Sequence, residues 1–338
     1  MTIRNFIDTQ DFSRQELLDM LEFIRCLKAA DKQGITPKLL KGVSLGMIFE
    51  KASTRTRISF EVAMTKLGGH ALYLKPGEIH LGERETLYDS GQVISRMVDI
   101  IMARTLKHQT LLGLAAGCTV PLINGLTDYN HPTQVICDIF TMMEHRPAGK
   151  RLEDVNVVFV GSATNVLNSL LLTCTKLGMK FTHAAPEGYQ PPREWIDLAR
   201  QNCLESGGSL TITSDPVAAV READFIHTDL WWQIGHESEM EALRPIIQAY
   251  QVNMTLLKSA PASCKFMHCL PAARGHEVSD EVMDCSQSII YDQSENRLHA
   301  EKGILVWFAY PRLKHPSAEL WAYHTAQAES FLAEHLPV

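Results

Sequence analysis

Phe49-Glu50-Lys51-Ala52-Ser53-Thr54-Arg55-Thr56-Arg57 follows the apolar run Val43 to Phe49 and leads into a helical pattern at Ile58, Phe60, Val62, Ala63 and Leu67. A short apolar run is what a buried strand requires, so the nonapeptide lies at a strand end and a helix start. Ser53 or Thr54 can cap that helix, its first-turn amides are free to meet an anion, and Arg55 adds a planar fork of donors. Such a corner suits phosphate or carboxylate. An ordinary cap with solvated arginines is the plainer reading, but three hydroxyls and two arginines within five residues favour an anion site.

The same alternation extends in both directions. Upstream, Ser13 and Glu16 form a capping box ahead of a helical face of Leu17, Leu18, Leu21, Ile24 and Leu27. Downstream, Gly68-Gly69 precedes a strand at His70 to Leu74, a surface loop at Lys75 to Glu85, a helix from Leu87 to Val98 and a buried strand ending at Arg104. Val120 to Asn124 repeats that strand layout. His131-Pro132-Thr133-Gln134 opens a helix running to Glu144; Pro132 suits the first helical position, which puts His131 at the cap and Gln134 one turn in.

Arg146 to Asp154 is the expected domain boundary. Beyond it, strands at Val155 to Val160, Phe181 to Ala185, Ser209 to Thr213 and Phe225 to Thr228 alternate with helices at Ala163 to Leu177, Glu194 to Cys203 and Val217 to Arg221. A loop from Trp231 to Glu239, a helix at Met240 to Ala249, a buried strand at Phe266 to Pro271 and a further strand at Ile289 to Tyr291 follow. Asn296 to Phe308 and Ala318 to Leu332 are expected helices, the first crossing back onto the N-terminal domain. The fold class is therefore α/β, with two three-layer domains on parallel sheets: residues 1–147, with 294–312 packing back on them, and residues 148–293, with a last helix in 314–338.

Composition narrows the function. The chain has 338 residues, 45% hydrophobic and 21% charged, with a net charge of −7. That is an ordinary soluble composition with room for two cores, and no basic run supplies a groove for nucleic acid. No leader-like or membrane-length apolar run is present, so cytoplasm is the expected location. The eight cysteines have no metal-ligand spacing, and Cys26, Cys137, Cys174 and Cys269 lie in apolar surroundings, as free thiols in a reducing compartment do.

Several familiar chemistries drop out. Gly161-Ser162-Ala163-Thr164-Asn165 occupies the place of a dinucleotide fingerprint but lacks its second and third glycines, and the next strand ends at Ala184-Ala185 without a ribose-binding acid. No Walker loop surrounds Lys150. His268 and Cys269, adjacent on a strand, should point to opposite faces and not share a zinc, so no metal and no cofactor are expected. What recurs is polar residues at strand ends or helix starts: Ser53, Arg55, Thr56, Arg104, His131, Gln134, Asn165, Asp229 and the carbonyls around Cys269-Leu270. Each alone has a structural explanation, but in α/β sheets this edge forms the ligand crevice.

Ser-Thr-Arg-Thr-Arg at 53–57, His-Pro-Thr-Gln at 131–134, His-Cys-Leu-Pro at 268–271 and Glu-Asn-Arg at 295–297 together resemble the aspartate/ornithine carbamoyltransferase family, over about residues 10 to 315. The resemblance implies an unknotted two-domain carbamoyltransferase that binds carbamoyl phosphate and an amine and assembles as a homotrimer with shared sites. It implies a phosphate cradle at Ser53, Thr54, Arg55 and Thr56, with Arg104 spanning phosphate and carbonyl oxygen and His131 donating to that oxygen. Thr56, Arg104 and His131 would be the catalytic donors. Gln134, Arg297 and the backbone at Cys269-Leu270 would hold the carbamoyl amide, and His80 would reach phosphate from a neighbouring subunit.

Members acting on ornithine carry Asp-x-Trp-x-Ser-Met-Gly, whose serine and methionine hold the amino-acid head. Here the segment reads Asp229-Leu230-Trp231-Trp232-Gln233-Ile234-Gly235. The resemblance then implies a diamine, putrescine, with Asn165, Asp229, Trp232 and Cys269 around it and flux towards phosphorolysis, as in agmatine breakdown. Ornithine or another diamine is the alternative acceptor, and a non-enzymatic ligand-binding relative is the alternative class.

Overall fold

The computed structural model describes residues 3–231, 244–246, 248–314 and 316–335. Helix α1 (Arg14–Lys32) begins with the capping box: Ser13 accepts from the Glu16 amide while the Glu16 side chain accepts from that of Ser13. β1 (Ser44–Phe49) leads into α2 (Thr54–Leu67), which ends where Gly68 turns left-handed at φ 88°. β2 (His70–Leu74), α3 (Leu87–Ile94), β3 (Ile100–Arg104), α4 (His108–Gly117), β4 (Leu122–Leu126) and α5 (Pro132–His145) complete the first domain. Its sheet is parallel throughout, in the order β2-β1-β3-β4.

The second domain contains β5 (Asn156–Val160), α6 (Asn165–Lys176), β6 (Lys180–Ala184), α7 (Arg193–Ser206), β7 (Ser209–Thr213), α8 (Pro216–Val220) and β8 (Phe225–Thr228). The short helices α9 (Met254–Leu257) and α10 (Asp280–Met283) flank β9 (Lys265–His268). Its sheet is also parallel, ordered β7-β6-β5-β8-β9. α11 (Ile290–Ala309) then returns to the first domain, where it packs on α1, α2 and α5, and α12 (Ala318–His335) closes the described chain. Lys28 Nζ donates to Asn296 Oδ1 at 2.7 Å, and Lys302 pairs with Asp31, so charged side chains pin α11 to α1.

Two expectations need correction. Ile289 to Tyr291 is not a strand: the amide of Ile289 donates to the Phe266 carbonyl at 3.0 Å, a single bridge beside β9, and Ile290 already begins α11. β-branched isoleucines mislead there because tertiary packing outweighs local propensity. The helix α4 was hidden by its glycines. Those glycines are contact residues: a Cβ on Gly117 would meet the Tyr88 carbonyl oxygen at 2.0 Å, and one on Gly113 would meet Leu87 Cδ1 at 2.6 Å; facing them on α3, a Cβ on Gly91 would meet the Leu114 carbonyl oxygen at 2.5 Å. The loop and helix expected over 231–249 fall largely outside the described residues.

Candidate active site

A cleft of about 600 Å³ opens between the two sheets at the carboxyl ends of their strands. Ser53, Thr54, Arg55, Thr56, Arg104, His131, Gln134, Asn165, Asp229, Cys269, Leu270 and Arg297 all line it. Two expected residues are not in that group. His80 lies on the 75–85 loop with Nδ1 at 3.1 Å from Glu83 Oε2 and does not line its own chain's cleft. Trp232 lies outside the described residues.

On the anion side, Ser53 is the N-cap of α2, yet its side chain caps nothing; Oγ donates to Thr56 Oγ1 at 3.1 Å. The first-turn amides are thereby left to a ligand, in the arrangement that makes a helix start an anion site. Thr56 Oγ1 also receives Arg297 Nη2 at 3.2 Å and Arg104 Nη1 at 3.5 Å, which draws both guanidinium groups to one point. Burial, then the charges of Arg297 and Arg55, push Arg104 down to about 10, and burial likewise lowers Arg55. Arg104 Nε is buried without a partner among the described residues. Arg57 leaves the site: it pairs with Glu61 at 3.2 Å and lies 4.0 Å over the Tyr73 ring.

Helix α5 supplies the next edge. Pro132 occupies its first turn and His131 its cap, with the His131 amide donating to Ser169 Oγ at 2.8 Å. Burial, then Arg297 and Arg104, hold the His131 imidazole well below its ordinary pKa, so it is neutral at physiological pH. Thr133 Oγ1 lies 3.4 Å from its Nδ1, and the tautomer in which that hydroxyl donates is the one that carries the proton on Nε2. Gln134 Oε1 accepts from Arg297 Nη1 at 2.6 Å while its Nε2 donates to buried Asp138 at 2.8 Å, which fixes the orientation of the amide.

The second domain contributes the far wall. Asn165 Nδ2 reaches across to the Thr127 carbonyl at 2.6 Å, and Thr164 caps α6 while donating to Asp229 Oδ2 at 3.2 Å. The Cys269 thiol donates to Asp229 Oδ1 at 3.3 Å, and burial followed by the Asp229 charge raises it well above its ordinary value, so it is no thiolate nucleophile. Leu270 is left-handed at φ 59°, a conformation costing a non-glycine residue about 1 to 3 kcal/mol and held here by its amide's 2.9 Å bond to His268 Nδ1.

That turn overturns one expectation. Strand alternation should send His268 and Cys269 apart, but β9 ends at His268, and ligand atoms of Asp229, His268 and Cys269 lie within 4.8 Å of one another. His268 still has no lone pair to offer a metal, since Nδ1 accepts from Leu270 and Nε2 faces Glu277 Oε1 at 3.3 Å. Sequence reasoning missed Thr127, Asp128, Thr164 and Trp231, which also line the cleft. Thr164 alone carried a signal, as a hydroxyl residue at a helix start.

Comparison with known proteins matches the two halves separately. Residues 4–144 match the aspartate/ornithine carbamoyltransferase, carbamoyl-P binding domain, and residues 153–308 match the Asp/Orn binding domain. A putrescine carbamoyltransferase of Mycoplasma capricolum is 49% identical over 98% of this chain and 93% of its own. An anabolic ornithine carbamoyltransferase of Pyrococcus furiosus is 47% identical over 89% of this chain and 95% of its own. Among solved structures, ornithine carbamoyltransferase from Pyrococcus furiosus superposes with a TM-score of 0.88 at 46% identity, covering 92% of this chain and 98% of its own. That from Campylobacter jejuni gives 0.84 at 35% identity, covering 90% and 99%.

Proposed function

We infer the reaction from the premise that the chain belongs to the aspartate/ornithine carbamoyltransferase family and is a carbamoyltransferase. The donor in this reading is carbamoyl phosphate. The observation that carries it is the convergence of the α2 N-terminus with Arg55, Arg104 and Arg297 in one cleft, beside a neutral His131. The phosphoryl group sits on the α2 amides and Arg55; Gln134, Arg297 and the 269–270 backbone hold the carbamoyl amide. A neutral amine attacks the carbamoyl carbon, the carbon–oxygen bond to phosphate breaks, and the departing phosphate takes the amine's proton. Negative charge building on the carbonyl oxygen meets Arg104, Thr56 and the Nε2 proton of His131, and losing one such donor costs roughly 3 to 4 kcal/mol. No covalent intermediate is required.

For the acceptor the finer reading is putrescine, giving N-carbamoylputrescine. The 229–235 text without the serine and methionine supports it, as does the Mycoplasma relative, whose alignment covers 98% of the chain. In this reading Asp229 faces the remote ammonium, Asn165 and Cys269 complete the wall, and the same transition state serves phosphorolysis in reverse. Ornithine is the second reading and has the broader support among the comparisons: the archaeal relatives at 45 to 47% identity and the superposing solved structures are ornithine carbamoyltransferases. The two differ by an α-carboxylate, and an unmatched buried charge or polar group is worth roughly 10⁴-fold in selectivity. Comparing kcat/KM for putrescine, ornithine, cadaverine and diaminopropane at fixed carbamoyl phosphate decides between them. Ornithine equal to or above putrescine establishes the ornithine reading, and failure of all four removes both.

The assembly in this reading is a homotrimer, with His80 donating to phosphate in a neighbouring subunit's cleft. Support comes from α12, none of whose described residues is buried within its own chain.

A further inference from the structure

α11 brings one carboxylate against the cleft from behind. Glu301 is completely buried, and its Oε1 accepts from both Arg297 Nη2 at 2.7 Å and Arg297 Nε at 3.2 Å. Its other oxygen, Oε2, is buried and meets no donor in hydrogen-bond geometry among the described residues; the Ser59 hydroxyl is close enough to favour the carboxylate but donates to the Arg55 carbonyl at 2.6 Å. The remaining Arg297 nitrogen, Nη1, reaches Gln134 Oε1 at 2.6 Å, and Nη2 also touches Thr56 Oγ1 at 3.2 Å. All three Arg297 nitrogens are therefore held, and the guanidinium has one orientation.

We propose that Glu301 is a positioning residue for carbamoyl transfer: its charge locks Arg297 in plane behind Gln134 and Thr56 and offsets the three guanidinium groups while the cleft is empty. The inference rests on the carbamoyl phosphate reading of the cleft and adds to it a residue that touches no substrate. A glutamine at 301 could accept the same bonds, so the carboxylate's distinctive contribution is its charge. Burial works most strongly against the Arg297 charge, and Glu301 together with Cys137 and Asp138 offsets it, holding that guanidinium above its ordinary pKa. Burial in turn pushes Glu301 up to about 7, so the charge is secured only in mildly alkaline solution.

A specific pattern follows for Glu301→Gln. The substitution removes the only charge paired with Arg297 among the described ion pairs, which leaves the cleft more positive; inorganic phosphate then binds at least as tightly as in the wild type. Turnover falls nonetheless, by about 10- to 100-fold, because neutral hydrogen bonds hold the guanidinium less firmly than the ion pair does, and Arg297 then spends less time in the one orientation that meets the transition state. A purely structural role for Glu301 would weaken binding and turnover together.

The test measures kcat and, by titration calorimetry at pH 8.5, inorganic phosphate affinity in the wild type, Glu301→Gln, Arg297→Met and the double variant. Expected are a lower kcat with undiminished phosphate affinity in Glu301→Gln, and no further loss when that change is added to Arg297→Met. A kcat within twofold of wild type, weakened phosphate binding, or losses that multiply in the double variant overturns the proposal. Should Glu301→Gln not fold, Glu301→Asp withdraws the carboxylate by one methylene, and a wild-type kcat there has the same overturning force. Failure of the wild type to bind phosphate or carbamoyl phosphate refutes instead the reading of the cleft on which this rests.

Discussion

Arg55 stands half-buried at the first turn of α2, and among the described residues no hydrogen bond or ion pair holds its guanidinium, while its carbonyl accepts from Ser59 Oγ at 2.6 Å. Arg55→Ala should therefore cost the fold little and the reaction much: kcat/KM drops by about 10² to 10³ while the thermal midpoint stays near wild type. Near-wild-type transfer in that variant removes the phosphate cradle. His183 tests a different kind of residue. Its Nε2 lies 2.6 Å from the Gly161 carbonyl, in the turn whose φ of 130° brings it against Trp231, and burial lowers its pKa to about 4. The unfolded chain, with histidine near 6.5, binds the extra proton first as pH falls, so stability is lost from about pH 6.5 down to about 4. Removing this titration with His183→Gln should shift the unfolding free energy, relative to wild type, by about 2 to 3 kcal/mol in the variant's favour between pH 7 and 4.5. A difference that does not change with pH contradicts the assignment. Residues such as Ser53, Arg55, His131 and Gln134 were legible because helix starts have a sequence signature. Arg297 became legible only through family resemblance, and Glu301 not at all, because α11 reaches the cleft from a distant part of the chain.

Elements were read well where one chain segment decides its own structure and poorly where a neighbour does. The strands β1, β3 and β5 announce themselves as apolar runs, whereas α4 forms because Gly91 and Gly117 let α3 and α4 approach closely. No local pattern shows what joins the two domains. Buried Asp138 on α5 accepts from Gln134 at 2.8 Å and from Gln293 on α11 at 2.7 Å, with His227 of β8 3.6 Å from its other oxygen. Gln293 in turn accepts the His268 amide at 2.9 Å, so one cluster ties the carbamoyl edge to the turn carrying Cys269. Asp138→Ala takes one acceptor from each of two buried amides, Gln293 keeping only its 3.2 Å contact with His227 Nε2, and each unmet N–H costs about 1 to 3 kcal/mol. The urea midpoint should fall accordingly, with a total loss of about 2 to 6 kcal/mol. A loss under about 0.5 kcal/mol would show that both amides find other partners and that the cluster does not join the domains.

At the scale of the whole molecule, among the described residues no helix is long and apolar enough to cross a membrane, yet α12 exposes Leu320, Trp321, Tyr323, Phe331 and Leu332. A helix of 18 residues with no buried face is marginal on its own in water. Its apolar side chains need a surface, and covering them is worth about 1.5 to 3 kcal/mol for each large residue fully buried. The first domain offers an apolar cavity of about 590 Å³ lined by Phe23, Val306, Trp307, Phe308 and Tyr310, on the face where α1 meets the end of α11. In the proposed trimer a second copy would cover these apolar side chains and bring in a His80, which does not line the cleft of its own chain. The expected result is a full-length protein that sediments as a trimer and a form ending at Leu313 that dissociates at concentrations where the full-length trimer persists. Equal trimer stability in the two forms would remove α12 from the interface while leaving the shared cleft possible. A monomeric full-length protein with full activity would remove both, because each cleft would then work without a neighbour's residues.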